Sequence, residues 1–202
     1  MAVECCRTMS RCKVSGVLSG ALSPALDGGV CPHFAVLLRS AEEFAPVAAS
    51  FYALGVVRGG WLVHRTLEPD GDRRALTIAG LDVQDLETKR QLAIEAIRPD
   101  EPPELLPQRV EPAFAEALGR GLSALWSSHT PVAPAPDSFR HAMEVERAWE
   151  EQFRDRPVVT LCPYLVDGLD ASDALKRLTA LGSHHDGVLV PSDQGLQLLR
   201  PD

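Results

Sequence analysis

Few residues of this 202-residue chain combine a reactive type with an informative position. Cys162 closes the apolar run Val158-Val-Thr-Leu-Cys and is followed by Pro163 and Tyr164. His33 stands just before a second apolar run, Phe34 to Leu38, and Glu42 and Glu43 follow that run closely. A thiol beside an imidazole can act as a nucleophile or hold a metal, and a carboxylate can move a proton or bind a cation. In open α/β sheets ligands gather at the carboxyl ends of strands, where Cys162 and Tyr164 fall. His33 lies at the amino end of its strand and need not meet them. Each also has a plainer reading: a capping or core-edge histidine, and a small buried hydrophobe. The candidate ligand-binding residues are therefore His33, Cys162 and Tyr164, with Glu42 and Glu43 as further polar contacts. The two carboxylates equally suit a first helical turn, where negative charge complements the helix dipole.

The remaining chemistry-bearing residues fit no standard motif. Of five cysteines, Cys5, Cys6, Cys12 and Cys31 lie near the start. Their spacing is not that of a zinc ribbon, so free thiols are the leading reading and a metal site is the alternative. Cys31-Pro32 and Cys162-Pro163 share the Cys-Pro dipeptide of haem-regulated proteins. No cofactor is required by the sequence, with metal or haem as the alternative. His184-His185 lacks a thiol or carboxylate at a defined spacing and reads as the start of the final strand. A phosphate loop needs glycines, whose backbone N–H groups cradle phosphate, and a lysine that reaches it. The corresponding residues, Arg39-Ser40-Ala41-Glu42-Glu43-Phe44, have neither. G-x-S-x-G and H-E-x-x-H are absent too. The expectation is a protein that is not an enzyme; a Cys162 nucleophile activated by a histidine is the enzymatic alternative.

These residues must be positioned by alternating strands and helices. His33 to Arg65 reads as strand, helix and strand, with Phe44, Val47, Ala48, Phe51 and Leu54 on one stripe and Gly55 as the helix stop. A third strand is expected over Ala75–Ala79, a helix over Leu81–Ile97, and a helix from Pro112 to Trp126. A Pro-rich loop follows at 127–138, then a helix from Ser138 to Arg154, a strand Val158–Cys162 and a helix Asp170–Leu181. Val188–Val190 and Leu196–Leu199 close the chain as a hairpin. The fold class expected is a three-layer α/β domain, mainly parallel, with a C-terminal β-hairpin and a RecA/KaiC-like core without a phosphate loop. Residues 1–29 form a cysteine-containing leading segment and 30–202 one α/β domain.

Composition narrows the partners. A formal net charge of −8 opposes a nucleic-acid surface. No apolar run approaches the roughly 20 residues that span a bilayer. The start has no continuous apolar core of an export signal, so a cytoplasmic, reducing location is expected.

The run His33-Phe-Ala-Val-Leu-Leu-Arg-Ser-Ala-Glu-Glu-Phe, followed by Phe51-x-x-x-Gly55 and Gly59-Gly60, resembles the MEDS domain, the DcmR-like sensory domain of methanogens and methylotrophs. Val158-Val-Thr-Leu-Cys162-Pro-Tyr164 with Leu169-Asp170-Ala171 is similar to its second hallmark. The likeness runs over about Val30 to Pro191 and its motifs are degenerate. It implies a sensory or regulatory module that detects a small organic molecule. Many members carry an output domain, none of which is expected here with 30–202 read as one domain, and the Pro-rich loop stands where a further strand and helix often occur. The resemblance thus implies signalling through a partner: a kinase, a sigma-factor regulator or a transcription factor. A homodimer through the apolar stripe of the helix from Pro112 is a further option.

Overall fold

The computed structural model describes residues 32–98, 101–192 and 195–200. The four N-terminal cysteines and the leading segment lie outside the described residues. Seven strands make one sheet: β1 (His33–Leu38), β2 (Trp61–Thr66), β3 (Leu92–Ala96), β4 (Leu125–His129), β5 (Val158–Leu165), β6 (Gly187–Ser192) and β7 (Gly195–Leu199). Their order is β3-β2-β4-β5-β1-β6-β7, parallel throughout except for the antiparallel β6–β7 hairpin. Among the described residues six helices cover it: α1 (Phe44–Val57), α2 (Pro69–Ile78), α3 (Val83–Thr88), α4 (Leu105–Gly119), α5 (Pro136–Phe153) and α6 (Ala171–Gly182). The fold is the expected three-layer α/β arrangement.

Both faces of the sheet are covered, which is why β1 and β2 are buried almost throughout. One face carries Phe34, Val36, Leu62, Trp126 and Leu161 against residues of α1, α2 and α3. The other carries Val63, Leu125 and Val158 against α4 and α5, and Ala35, Leu37, Cys162 and Tyr164 against α5 and α6. Asp170 caps α6 as expected, its carboxylate accepting the N–H of Asp173 at 2.9 Å.

Several boundaries differ from the sequence reading, each for a local reason. Gly55 does not stop α1, which runs on to Val57. It sits inside the helix because a Cβ there would stand 2.6 Å from Leu62 and 2.9 Å from Trp126. Helix and sheet approach closely at this point, so Gly55→Ala should cost about 1–3 kcal/mol by overpacking. An unchanged urea midpoint would show instead that the Trp126 ring shifts freely.

Ala75–Ala79 is not a strand. Pro69 at the first helical position, with Asp70 and Asp72 in the first turn, begins a helix that continues to Ile78. Leu81–Ile97 is not one helix but α3 and then β3. Asp82 caps α3, Arg90 turns the chain at φ 53°, and Leu92 and Ile94 bury with a period of two.

The helix expected from Pro112 begins at Leu105 and ends at Gly119, with Pro112 inside it and Trp126 in β4. Its stripe of Pro107, Val110, Phe114 and Ala117 is buried within the fold, so it offers no dimer surface. The expected loop at 127–138 is the largest correction. Ser127, Ser128 and His129 belong to β4, in the middle of the sheet, and Pro136 already starts α5. Between them Val132 bridges to Tyr164: its N–H donates to the Pro163 carbonyl, and its carbonyl accepts from Leu165, each at 2.9 Å.

Candidate functional site

Strand alternation places Cys162 and Tyr164 on the face covered by α5 and α6. The register of β1 on β5 sets His33 opposite Thr160 and Ala35 opposite Cys162. The His33 ring reaches Cys162, and Nε2 lies 3.2 Å from Sγ. Thus the amino end of β1 does meet the middle of β5, which the sequence left open.

Two residues complete the group. Glu146 comes down from α5, and its Oε1 accepts the Tyr164 hydroxyl. His185 stands between α6 and β6, its ring 4.2 Å from that of His33. Its Nδ1 is 2.9 Å from the Leu181 carbonyl oxygen. His185 Nε2 and Glu146 Oε2 are 3.3 Å apart but poorly aligned, and both are buried without a hydrogen-bond partner. One donor atom from each of His33, Glu146, Cys162 and His185 falls within 4.8 Å of the others.

Their ionisation follows from this crowding. Burial and the neighbouring His185 pull the His33 pKa down to about 3. Burial and the Glu146 charge push the Cys162 thiol well above its ordinary range. Burial alone would raise the Glu146 carboxyl, but His185, His33 and the Tyr164 hydroxyl outweigh it and bring the pKa to about 2. A neutral imidazole, a thiol and a carboxylate therefore coexist at neutral pH.

A cavity of about 390 Å³ opens above the group, beneath α5. Leu67, Ile97, Leu106, Val132 and Val145 supply apolar wall, while the polar lining includes His33, Glu146, Cys162, Arg65 and His129 together with the charged Arg98, Glu101 and Arg109. Arg65, at the end of β2, is buried. Its Nη2 lies 3.4 Å from Ser127 Oγ, its guanidinium sits 4.5 Å over the Trp149 ring, and its Nε has no partner. Among the described residues no carboxylate lies within ion-pair distance of it. A second hollow borders the first and shares His33, Trp149 and Thr160 with it.

Glu42 and Glu43 do not line the cavity. Glu42 is exposed and Glu43 half-buried in a 3₁₀ turn (Ala41–Glu43) beyond the carboxyl end of β1, roughly 17 Å of strand away from His33. Glu43 instead accepts the Arg39 N–H at 2.8 Å, closing the connection where a phosphate loop would present its amides. On the opposite face the buried Tyr52 and His64 and the half-buried Asp72 form a separate chain, with His64 Nε2 2.9 Å from Asp72, and none of the three lines the cavity.

Of the expected residues, His33, Cys162 and Tyr164 come together. Glu146, His185, Arg65 and His129 were missed. Glu146 had a visible signal: it follows Ala142 by four positions and precedes Trp149 by three and Phe153 by seven, a carboxylate on the buried stripe of a helix. His185 was set aside with His184 as the start of the final strand, which begins only at Gly187, because its thiol and carboxylate partners arrive only through the fold.

Fold and site together define a three-layer α/β domain with a polar group buried under a covering helix. No family model matches the chain, and no curated protein matches it. Among solved structures the fold is similar to that of the uncharacterized protein PH0321 from Pyrococcus horikoshii, crystallised in complex with an unknown peptide. That protein is 13% identical, with a TM-score of 0.57 over 84% of each chain. None of the helices among the described residues is long and apolar enough to cross a membrane.

Proposed function

We propose that the chain is a non-enzymatic sensory domain of the MEDS type, which binds a small organic ligand and signals through a protein partner in the cytoplasm. The observation that carries this reading is the cavity of about 390 Å³ with a buried Arg65 whose Nε has no partner and which no carboxylate among the described residues neutralises. A volume of this size takes a small molecule, and a desolvated guanidinium selects an anionic end. The ligand class is therefore a short-chain carboxylate or a similar small anion. That the Pyrococcus protein was crystallised with a peptide accords with an output that passes through a partner.

The test is a thermal-shift series with short carboxylates and the alcohols of matching length, beside native mass spectrometry of the fresh protein. At about 100 times Kd a carboxylate should stabilise by about 2.7 kcal/mol, or roughly 5–10 °C in Tm for a chain of this size. Alcohols should shift it far less, and Arg65→Met should erase the carboxylate response while the far-ultraviolet circular dichroism is retained. Equal shifts from alcohols would remove the anion assignment. No shift from any compound, with no co-purified ligand, would remove the ligand-binding reading.

The 3.2 Å approach of His33 to Cys162 favours a second reading, a cysteine nucleophile. Burial and the raised thiol pKa weigh against it, since the thiolate is the reactive form. Fast labelling of Cys162 by a thiol reagent at neutral pH would revive it.

A further inference from the structure

We infer that His33, Glu146, Cys162 and His185 form a binding site for a first-row divalent metal ion, zinc(II) by the character of the donors. This goes beyond the proposed function, because the site stands whether or not the cavity takes an organic anion.

The donors come from four separate parts of the chain: β1, α5, β5 and the connection into β6. They supply two imidazole nitrogens, a sulfur and a carboxylate oxygen, the set that suits a borderline tetrahedral ion. Donor atoms about 2.0–2.3 Å from a zinc ion stand roughly 3.3–3.8 Å from one another in a tetrahedron. Here His33 Nε2 and Cys162 Sγ are 3.2 Å apart, His185 Nε2 and Glu146 Oε2 are 3.3 Å apart, and no pair exceeds 4.8 Å. Small adjustments close the set around an ion.

The hydrogen bonding points to the same occupant. The Leu181 carbonyl can only accept, so His185 Nδ1 carries a proton. The other nitrogen, Nε2, is then the one that can turn to a ligand. It faces Glu146 Oε2 at 3.3 Å, and neither atom has a hydrogen-bond partner. A metal ion between these two buried atoms would satisfy both. Outer contacts already orient the ligands: the Leu181 carbonyl holds His185, and the Tyr164 hydroxyl holds the other oxygen of Glu146. On binding, the Cys162 thiol gives its proton to solvent, and the divalent ion balances the thiolate and the carboxylate. Three of the donors, His33, Glu146 and Cys162, line the cavity, so the ion would stand at its floor.

The test uses the full chain with Cys5, Cys6, Cys12 and Cys31 changed to serine, reduced and stripped of metal, and titrated with zinc chloride and with cobalt chloride. One equivalent should bind. The cobalt form should show a thiolate-to-metal charge-transfer band that Cys162→Ser abolishes. His185→Gln should weaken zinc binding at least 100-fold, and Tyr164→Phe should weaken it about 10–100-fold, the range for an outer-shell partner. If Cys162→Ser fails to fold, His185→Gln decides the matter. No uptake, or uptake that neither variant alters, overturns the assignment. Uptake only while the four N-terminal cysteines are present also overturns it. So does a metal-free protein in which His185 stays protonated well above its ordinary range, because the cation is then a proton. The carboxylate thermal shifts are measured on metal-free protein, so that reading and this one fail separately.

Discussion

Trp149→Ala should destabilise the protein by about 3–5 kcal/mol, the range for emptying a large aromatic site, and lower Tm by on the order of 10 °C. Trp149 is 4% exposed and packs on Phe153 with ring centroids 4.6 Å apart. Its indole N–H donates to Thr160 Oγ1 at 3.2 Å, and its ring carries the Arg65 guanidinium. Alanine removes the packing, leaves the Thr160 hydroxyl without its donor and strips Arg65 of its aromatic support. It also opens the wall between the two hollows, so carboxylate binding should weaken beyond what the loss of stability alone explains. Trp149→Phe separates these effects: the ring persists, the donor is lost, and the expected cost is only about 1 kcal/mol. Urea unfolding of both variants measures this. A loss below 1 kcal/mol for the alanine variant would show that α5 collapses onto the sheet and fills the gap.

The metal-free protein should lose about 3 kcal/mol of stability through His129 as pH falls from about 6.5 to 4. Burial, with the Arg65 charge second, lowers the His129 pKa to about 4 from an ordinary value of 6.5. Between those pH values the unfolded chain binds a proton that the folded one refuses. Stability is therefore fully present above 6.5 and is lost as pH falls through the folded value. The figure of about 3 kcal/mol is 2.5 pH units at 1.36 kcal/mol each, and His129→Gln should remove that part of the slope. Denaturant titrations of wild type and variant across this range, with chelator present, give the comparison. Parallel curves would mean that His129 reaches water in the folded state.

The order of these effects bears on what could be read in advance. The apolar strands around His33 and Cys162 were legible because both faces of a parallel sheet are covered, which leaves short continuous apolar runs. β4 was not legible. Its Ser127, Ser128 and His129 are polar, yet Ser127 and Ser128 are fully buried, Ser128 donating to the Leu161 carbonyl at 2.7 Å. Polarity in a central strand reads as loop, and here His129 lines the cavity while Ser127 contacts Arg65. β3 was hidden for another reason: Leu86, Leu92 and Ala93 mimic helical spacing, and only the turn at Arg90 separates α3 from the strand. Glu42 and Glu43 drew attention as a replacement for a phosphate loop, but the working polar groups lie at the other end of β1. Nothing in one-dimensional spacing brings Glu146 and His185 to Cys162, since the three come from a helix, the connection into β6 and a central strand.

One consequence concerns the route by which occupancy of the cavity reaches the surface. Cys162 and Tyr164 lie on β5, hydrogen-bonded between β1 and β4 in the middle of the sheet. Strands so placed open only with the whole fold, so their amides should exchange with solvent deuterium at the rate of global unfolding, ligand or no ligand. Glu146 and Trp149 ride on α5, whose opposite side is exposed. Ligand-dependent protection should therefore fall on α5, the 130–135 connection and the segment from Glu101 to Arg109 that also lines the cavity. The sheet acts as an anvil, and α5 is the part that can carry a message outward.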